Sequence, residues 1–263
     1  MKLIRLAPEK IPGMKIGSAS FPPAFAQGLE YSPPARGSWT IMHLGLLVPE
    51  THIVFVCAQC CLRGVVMSAA EVKALDRFST ITVEEKNLLE GDTEEVLLEG
   101  IEDILSKIRY KPRAMIIYTS CVHEFVGSDL TFSFAELRRR HPDIDFADGY
   151  MAPIVRKRIT PDARNRRQIL SLLKKREDRD RGVTLVANVR PSSCALSDFR
   201  EIARQAGIPF RDITETRTYS DYQALAKSTF FLSTAPFGNV ALDWCASHLG
   251  GTPLLLSAPW MPE

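Results

Sequence analysis

From residue 38 onward, short apolar runs alternate with longer stretches whose apolar positions recur every three or four residues. The runs 52–57 (HIVFVC), 79–83 (STITV), 113–120 (RAMIIYTS) and the weaker 144–148 (IDFAD) predict strands buried on both faces. Between them, 68–78 (SAAEVKALDRF), 91–110 (GDTEEVLLEGIEDILSKIRY) and 129–141 (DLTFSFAELRRRH) predict helices. The second of these is the clearest. Leu97, Ile101, Ile104, Leu105 and Ile108 fall on one face, and Asp92 with Glu95 three residues on reads as a capping pair. The alternation then restarts. Strands are expected at 183–189, 208–213, 228–233 and 252–257, with helices at about 195–206, 219–227 and 238–248.

Short buried strands alternating with amphipathic helices predict an α/β fold of two doubly wound, Rossmann-like parallel sheets of four strands each. The expected order is an irregular, Pro- and Gly-rich segment over 1–37, a first α/β domain over 38–155, a basic linker helix over 156–182, and a second α/β domain over 183–263. After the last expected strand the chain reads SAPWMPE, where the alternation would call for a further helix.

Composition adds little to this picture. The chain is 45% hydrophobic and 24% charged, with a net charge of +2, which gives no general case for a nucleic-acid or membrane partner. Charge is nonetheless uneven: residues 155–182 hold eleven Lys/Arg against four Asp/Glu, and a solvated helix between domains is the expected reading. The first residues, MKLIRLAPEKIPGMKIG, lack the unbroken apolar core of a secretory signal, and no apolar run approaches a bilayer span, so a cytoplasmic location is expected.

The cysteines change the picture. Six occur in 263 residues, and three of them, Cys57, Cys60 and Cys61, crowd the end of the first strand in VFVCAQCCLRG. Cys121 follows the third strand. In a parallel sheet both strands leave at one edge, where ligands collect, so the four thiols are expected to converge, with Cys60 and Cys61 in a loop. In a reducing compartment such a set points to metal or redox chemistry rather than to disulfides. Thiolates suit zinc or an iron–sulfur cluster. CAQCC lacks the two separated pairs of a structural zinc site, and adjacent Cys60 and Cys61 are poorly placed to share one ion. The competing reading makes two of the four small buried hydrophobes. His43, His52, His123 and Glu124 lie near these segments, where packing or solvated roles are commoner than ligation. Cys245 reads as core and Cys194 remains open. No GxxxxGK[ST] or GxGxxG motif occurs, so ATP or dinucleotide binding by this chain is not expected.

These residues are similar to a known pattern. YTSCVHEFVGSDL resembles the signature of the nitrogenase component 1 family, in which a Cys after a strand precedes a Gly-Asp pair opening a helix. IVFVCAQCCLRG occupies the place of that family's other Cys-bearing loop, and NLLEGDTEEVLLEGIEDIL resembles the segment between them. The resemblance implies that Cys121 and either Cys60 or Cys61 ligate an iron–sulfur cluster, 4Fe-4S or larger, at an interface with a second copy or a related component 1 subunit. It also implies electrons delivered by a separate ATP-dependent iron protein. There are departures. Gly127-Ser128-Asp129 stands where many members have Gly-Asp-Asp, and no thiol lies near Trp39, for which Cys57 is the candidate substitute. The STAPFG stretch at 233–238 lacks the cofactor thiolate of the molybdenum–iron protein, and a third family domain has no counterpart, so dinitrogen reduction is not expected. The resemblance thus implies a redox subunit of unknown substrate; the alternatives are a non-catalytic scaffold for cluster assembly and a truncated chain with a vestigial site.

Overall fold

The structure, a computed structural model, describes residues 38–150, 159, 161–186, 194–234 and 238–255. The expectation for residues 1–37 lies outside them. Two four-stranded, all-parallel sheets form the frame, as the hydrophobic pattern predicts. In the first the order is β2-β1-β3-β4, with β1 at Thr51–Cys57, β2 at Phe78–Thr82, β3 at Ala114–Thr119 and β4 at Asp145–Tyr150. The second repeats that order as β6-β5-β7-β8, from Asp180–Leu185 (β5), Phe210–Asp212 (β6), Ser228–Ser233 (β7) and Thr252–Leu255 (β8).

Every residue of β1 and β3 is buried, which is why these strands read as continuous apolar runs. Their side chains alternate between two clusters. Val54 and Val56 join Met115 and Ile117 beneath α4 (Thr93–Lys107) and α6 (Leu130–Arg140), which contribute Leu97, Ile101, Ile104, Phe134 and Leu137. Ile53, Phe55 and Cys57 face the other way, into a cluster that continues to Phe231 and Leu242 of the second half. Each large aliphatic or aromatic side chain buried in this way stabilises the fold by roughly 1.5–3 kcal/mol. On the far face of the second sheet, among the described residues, Leu185 and Leu232 form the buried cluster, with Val183, Phe210 and Leu254 partly buried against them.

The basic segment is not a solvated helix where the structure describes it. Helix α7 (Pro161–Leu170) inserts Ile169 and Leu170 into the cluster shared by both sheets. Arg166 is only 1% exposed. Its guanidinium is held by Asp162 one turn earlier, at 2.9 Å. Asn165, equally buried, accepts from the Tyr118 hydroxyl at 3.0 Å. The excess of Lys and Arg over 155–182 predicts a wet face; here opposite charges at i and i+4 satisfy each other inside, where an unpaired one would cost several kcal/mol.

Each sheet also places a glycine under an aromatic ring of the neighbouring strand. A Cβ on Gly149 would lie 2.6 Å from Tyr118 Cδ1, and one on Gly251 would run into the Phe231 ring. Two expectations need correction. Asp92 occupies the N-cap position of α4 without capping it, because its carboxylate accepts from Asn87 Nδ2 at 3.2 Å. The helix expected at 68–78 is α2 at Gln59–Glu71, followed by a 3-10 turn at Leu75–Arg77. Gly64 and the polar Arg63 had masked its first half.

Candidate metal centre

Strands β1 and β3 are paired in parallel with Val56 opposite Thr119, so both leave the sheet at one level of one edge. The Ser120 N–H donates to the Val56 carbonyl at 3.2 Å and fixes the exit of the second strand beside the first. Cys57 is the last residue of β1. Since α2 begins at Gln59, Cys60 and Cys61 lie in the first turn of a helix and not in a loop. Cys121 is the first residue of α5 (Cys121–Val126). This single-turn helix, like α3 at Glu85–Glu90, is too short to show a period in the sequence.

The four thiols are graded in exposure. Cys57 is fully buried, Cys121 half-buried, and Cys60 and Cys61 exposed. The sulfurs of Cys60 and Cys61 are 3.9 Å apart. Burial pushes the Cys57 thiol up to about 12, and the Cys61, Cys60 and Cys121 sulfurs add to the effect, which places all four within electrostatic reach of one another. Cys61 is displaced upward as well, by partial burial and then by the Cys60 thiol. Its first-turn position favours a thiolate, but these neighbours outweigh it. A metal binding here must therefore displace protons.

The turn after Cys121 is tied down from several sides. Gly127 closes α5 at a φ of 70°, a left-handed conformation that disfavours side chains. Asp129 then caps α6 by accepting from the Phe132 N–H at 3.0 Å. Ser128, the departure from the family's Gly-Asp-Asp, shares a hydrogen bond with Thr93 Oγ1 at 2.7 Å. Glu94 accepts the Asp129 N–H at 2.5 Å. The altered loop thus keeps its helix cap.

Beside Cys121, the Ser120 hydroxyl and His123 Nε2 are buried without hydrogen-bond partners. His123 Nδ1 lies 3.3 Å from the Ser120 carbonyl, which identifies Nδ1 as the protonated nitrogen and leaves Nε2 a bare lone pair. Burial lowers the His123 pKa, against the raising effect of that carbonyl. No sequence signal foretold these two unsatisfied groups. Glu124 is exposed, and its chain neighbours Phe125 (74%) and Val126 leave apolar surface bare. His52 takes a structural role, bridging Ser79 Oγ (2.8 Å) and the Tyr110 hydroxyl (2.7 Å). His43 lies on α1 (Ser38–Gly45). Cys245 is buried in the shared cluster, as expected, and Cys194 opens α8 (Cys194–Gln205). A cavity of about 590 Å³ opens at the opposite edge of the first sheet, beside Glu50, Arg113 and Asp145, and does not join the thiols.

Among the described residues, no three His, Cys, Asp or Glu side chains converge closely enough to hold a single metal ion. The donor set does fit a larger sulfur-bridged group: soft thiols spread along one edge, two of them open to solvent, above unsatisfied buried polar atoms.

The model of the nitrogenase component 1 type oxidoreductases matches residues 40–250, most of the chain. The protein belongs to that family. Its fold is similar to two solved structures. "Nitrogenase Cp1 at pH 6.5" superposes with a TM-score of 0.64 at 14% identity, over 87% of this chain and 55% of that one. "Nitrogenase Cp1 at pH 5" gives 0.59 at 11% identity, over 85% and 49%. This component 1 family member therefore spans about half the length of the solved chains that it matches. No curated protein matches it. Among the described residues no helix is long and apolar enough to cross a membrane.

Proposed function

We propose that this nitrogenase component 1 family member is a redox subunit that holds an iron–sulfur cluster, 4Fe-4S or larger, on the edge formed by Cys57, Cys60, Cys61 and Cys121. The observation that carries the reading is the placement of four cysteines where two adjacent parallel strands leave one edge of the sheet. Cys60, Cys61 and Cys121 are the accessible ligands, with Cys57 behind them. When bound, such a cluster accepts and passes on single electrons. The chain's own part is to supply thiolates, to hold them on rigid strand ends and helix starts, and to exclude water on the Cys57 side.

An open edge with two exposed thiols suits a cluster completed by a second copy of the chain or by a related component 1 subunit. The bare Phe125 side chain, on the same short helix as Cys121, supports burial of that surface. In this reading electrons come from a separate ATP-dependent iron protein in the cytoplasm, and the substrate is unassigned. The exposure of Cys60 and Cys61 favours, as a second reading, a scaffold on which a cluster is assembled and handed on.

The test is elemental analysis of the full chain prepared without oxygen. Iron with acid-labile sulfide is expected, and the mass in solution should correspond to a discrete oligomer that weakens when iron is removed. Stoichiometric zinc without sulfide would overturn the iron–sulfur reading. Rapid, complete transfer of the cluster to an apo acceptor would favour the scaffold over the redox subunit.

A further inference from the structure

Asp148 lies on the edge strand β4, opposite Ile117 of β3, the strand that leads to Cys121. One of its carboxylate oxygens, Oδ1, is buried and has no hydrogen-bond partner. The other accepts from Gln168 Nε2 of α7 at 3.3 Å. A bare, buried carboxylate oxygen is costly when charged and much less so when it carries a proton. The charged groups acting on it come from every side: Glu124 of α5, Arg138 of α6, and Arg164 and Arg167 of α7. Arg138 is partly committed elsewhere, donating to the Phe146 carbonyl at 3.0 Å. Burial outweighs the guanidinium groups, and with the Glu124 charge it leaves the Asp148 carboxyl raised to about 6. Glu124 is exposed and follows Cys121 by three residues, on the same side of the helical turn. The two acids thus run from solvent beside Cys121 to a buried oxygen one strand away.

We propose that Asp148 and Glu124 form a proton-loading pair, with Glu124 as the entry from solvent, that takes up one proton when the group held at the cysteine edge gains an electron. The proposal rests on the iron–sulfur reading. One electron enters the cluster from the iron protein or from an added reductant such as dithionite. One proton from solvent forms an O–H bond on the Asp148 carboxylate, so the local charge is unchanged. An electron added nearby favours the protonated acid, so coupled uptake operates above the pH at which Asp148 is already protonated in the oxidised state.

The experiment has two arms on the full chain. In the first, the midpoint potential of the reconstituted cluster is followed from pH 5 to pH 8.5 by reductive titration. The native protein should show a potential that is flat near pH 5 and falls with pH above about 6. Asp148→Asn should be flat throughout. Glu124→Gln, a surface change, should start its fall at lower pH because a neighbouring negative charge is gone. An unchanged slope in Asp148→Asn overturns the proposal and leaves the iron–sulfur reading intact. The second arm needs no cluster. Infrared difference spectra of the apo chain should show a protonated-carboxyl band titrating near pH 6 that Asp148→Asn lacks. If no cluster can be loaded, the functional reading fails, and absence of that band would overturn the buried proton as well.

Discussion

The two sheets share one strand order and differ in what stands at their edges and behind their strands. In the first, β1 and β3 are buried on both faces; β1 ends in Cys57, and Cys121 opens the helix after β3. In the second, Phe231 of β7 is buried in the cluster shared with the first half, while among the described residues the other face closes over two fully buried side chains, Leu185 and Leu232. β7 ends at Ser233, and β8 has three of its four residues exposed. The strand order thus recurs, while among the described residues the grouped thiols stand at the edge of the first sheet. The contrast also separates two uses of cysteine. Cys121 is half-buried at a helix start, whereas Cys245 is a fully buried filler of the shared core.

The sharpest test of this contrast is a pair of substitutions. Cys121→Ala should abolish iron and sulfide binding, since a methyl group cannot replace a thiolate on a metal. Cys245→Ala should keep both and cost roughly 1 kcal/mol of stability. Equal loss of iron in the two variants would show that the edge of the first sheet is not the site.

The seam between the halves comes next. Asp162→Asn leaves Arg166 buried against a neutral partner, and unfolding in urea should show a loss of about 3–5 kcal/mol. The variant should open the contact between the sheets before either sheet melts, seen as early exposure of α7 to hydrogen exchange. A loss below 1 kcal/mol would mean that the pair is solvated in solution.

Acid should distinguish the halves less strongly. Burial, helped by Arg77 and opposed by Asp76, lowers the His52 pKa to about 4, while the unfolded chain protonates near 6.5. The folded state thus binds fewer protons between these values, and stability falls as pH drops from about 6.5 to 4, by about 3 kcal/mol at most. His52→Gln should flatten that dependence. The second half has a single histidine, His248, which is exposed. Retention of the full acid sensitivity in His52→Gln would place its origin elsewhere.

The smallest effects probe what the sheets have in common. Gly149→Ala and Gly251→Ala each push a methyl group into a fully buried ring, Tyr118 or Phe231, and each should cost about 1–3 kcal/mol. A cost in only one of them would show that the repeated strand order does not carry a repeated packing solution.

The strands were legible because burial on both faces demands unbroken apolar runs. The ranges 52–57 and 228–233 match β1 and β7 almost residue for residue. Helices were legible where one face is wet, as in α4. They were not where the period is interrupted or too short. Gly64 hid the start of α2, and α3 and α5 last a single turn. The error mattered, because it put Cys60 and Cys61 in a loop when they sit on a helix start that fixes their direction.

By itself, then, the sequence determined the α/β class, the two parallel sheets and the residue types that can bind a soft metal, since these follow from local periodicity and side-chain chemistry. That the cysteine-bearing segments share one sheet edge was also legible, but only the tertiary structure set their register and burial. Cys57 and Cys121 are sixty-four positions apart and come together through the register of Val56 with Thr119. Arg166 is buried with its guanidinium against Asp162, and Asp148 holds an unsatisfied oxygen on an edge strand against which α6 and α7 pack. A charge pattern is the same string of letters wet or dry. Only the three-dimensional neighbours set the dielectric around it, and with that the protonation on which the proposed chemistry depends.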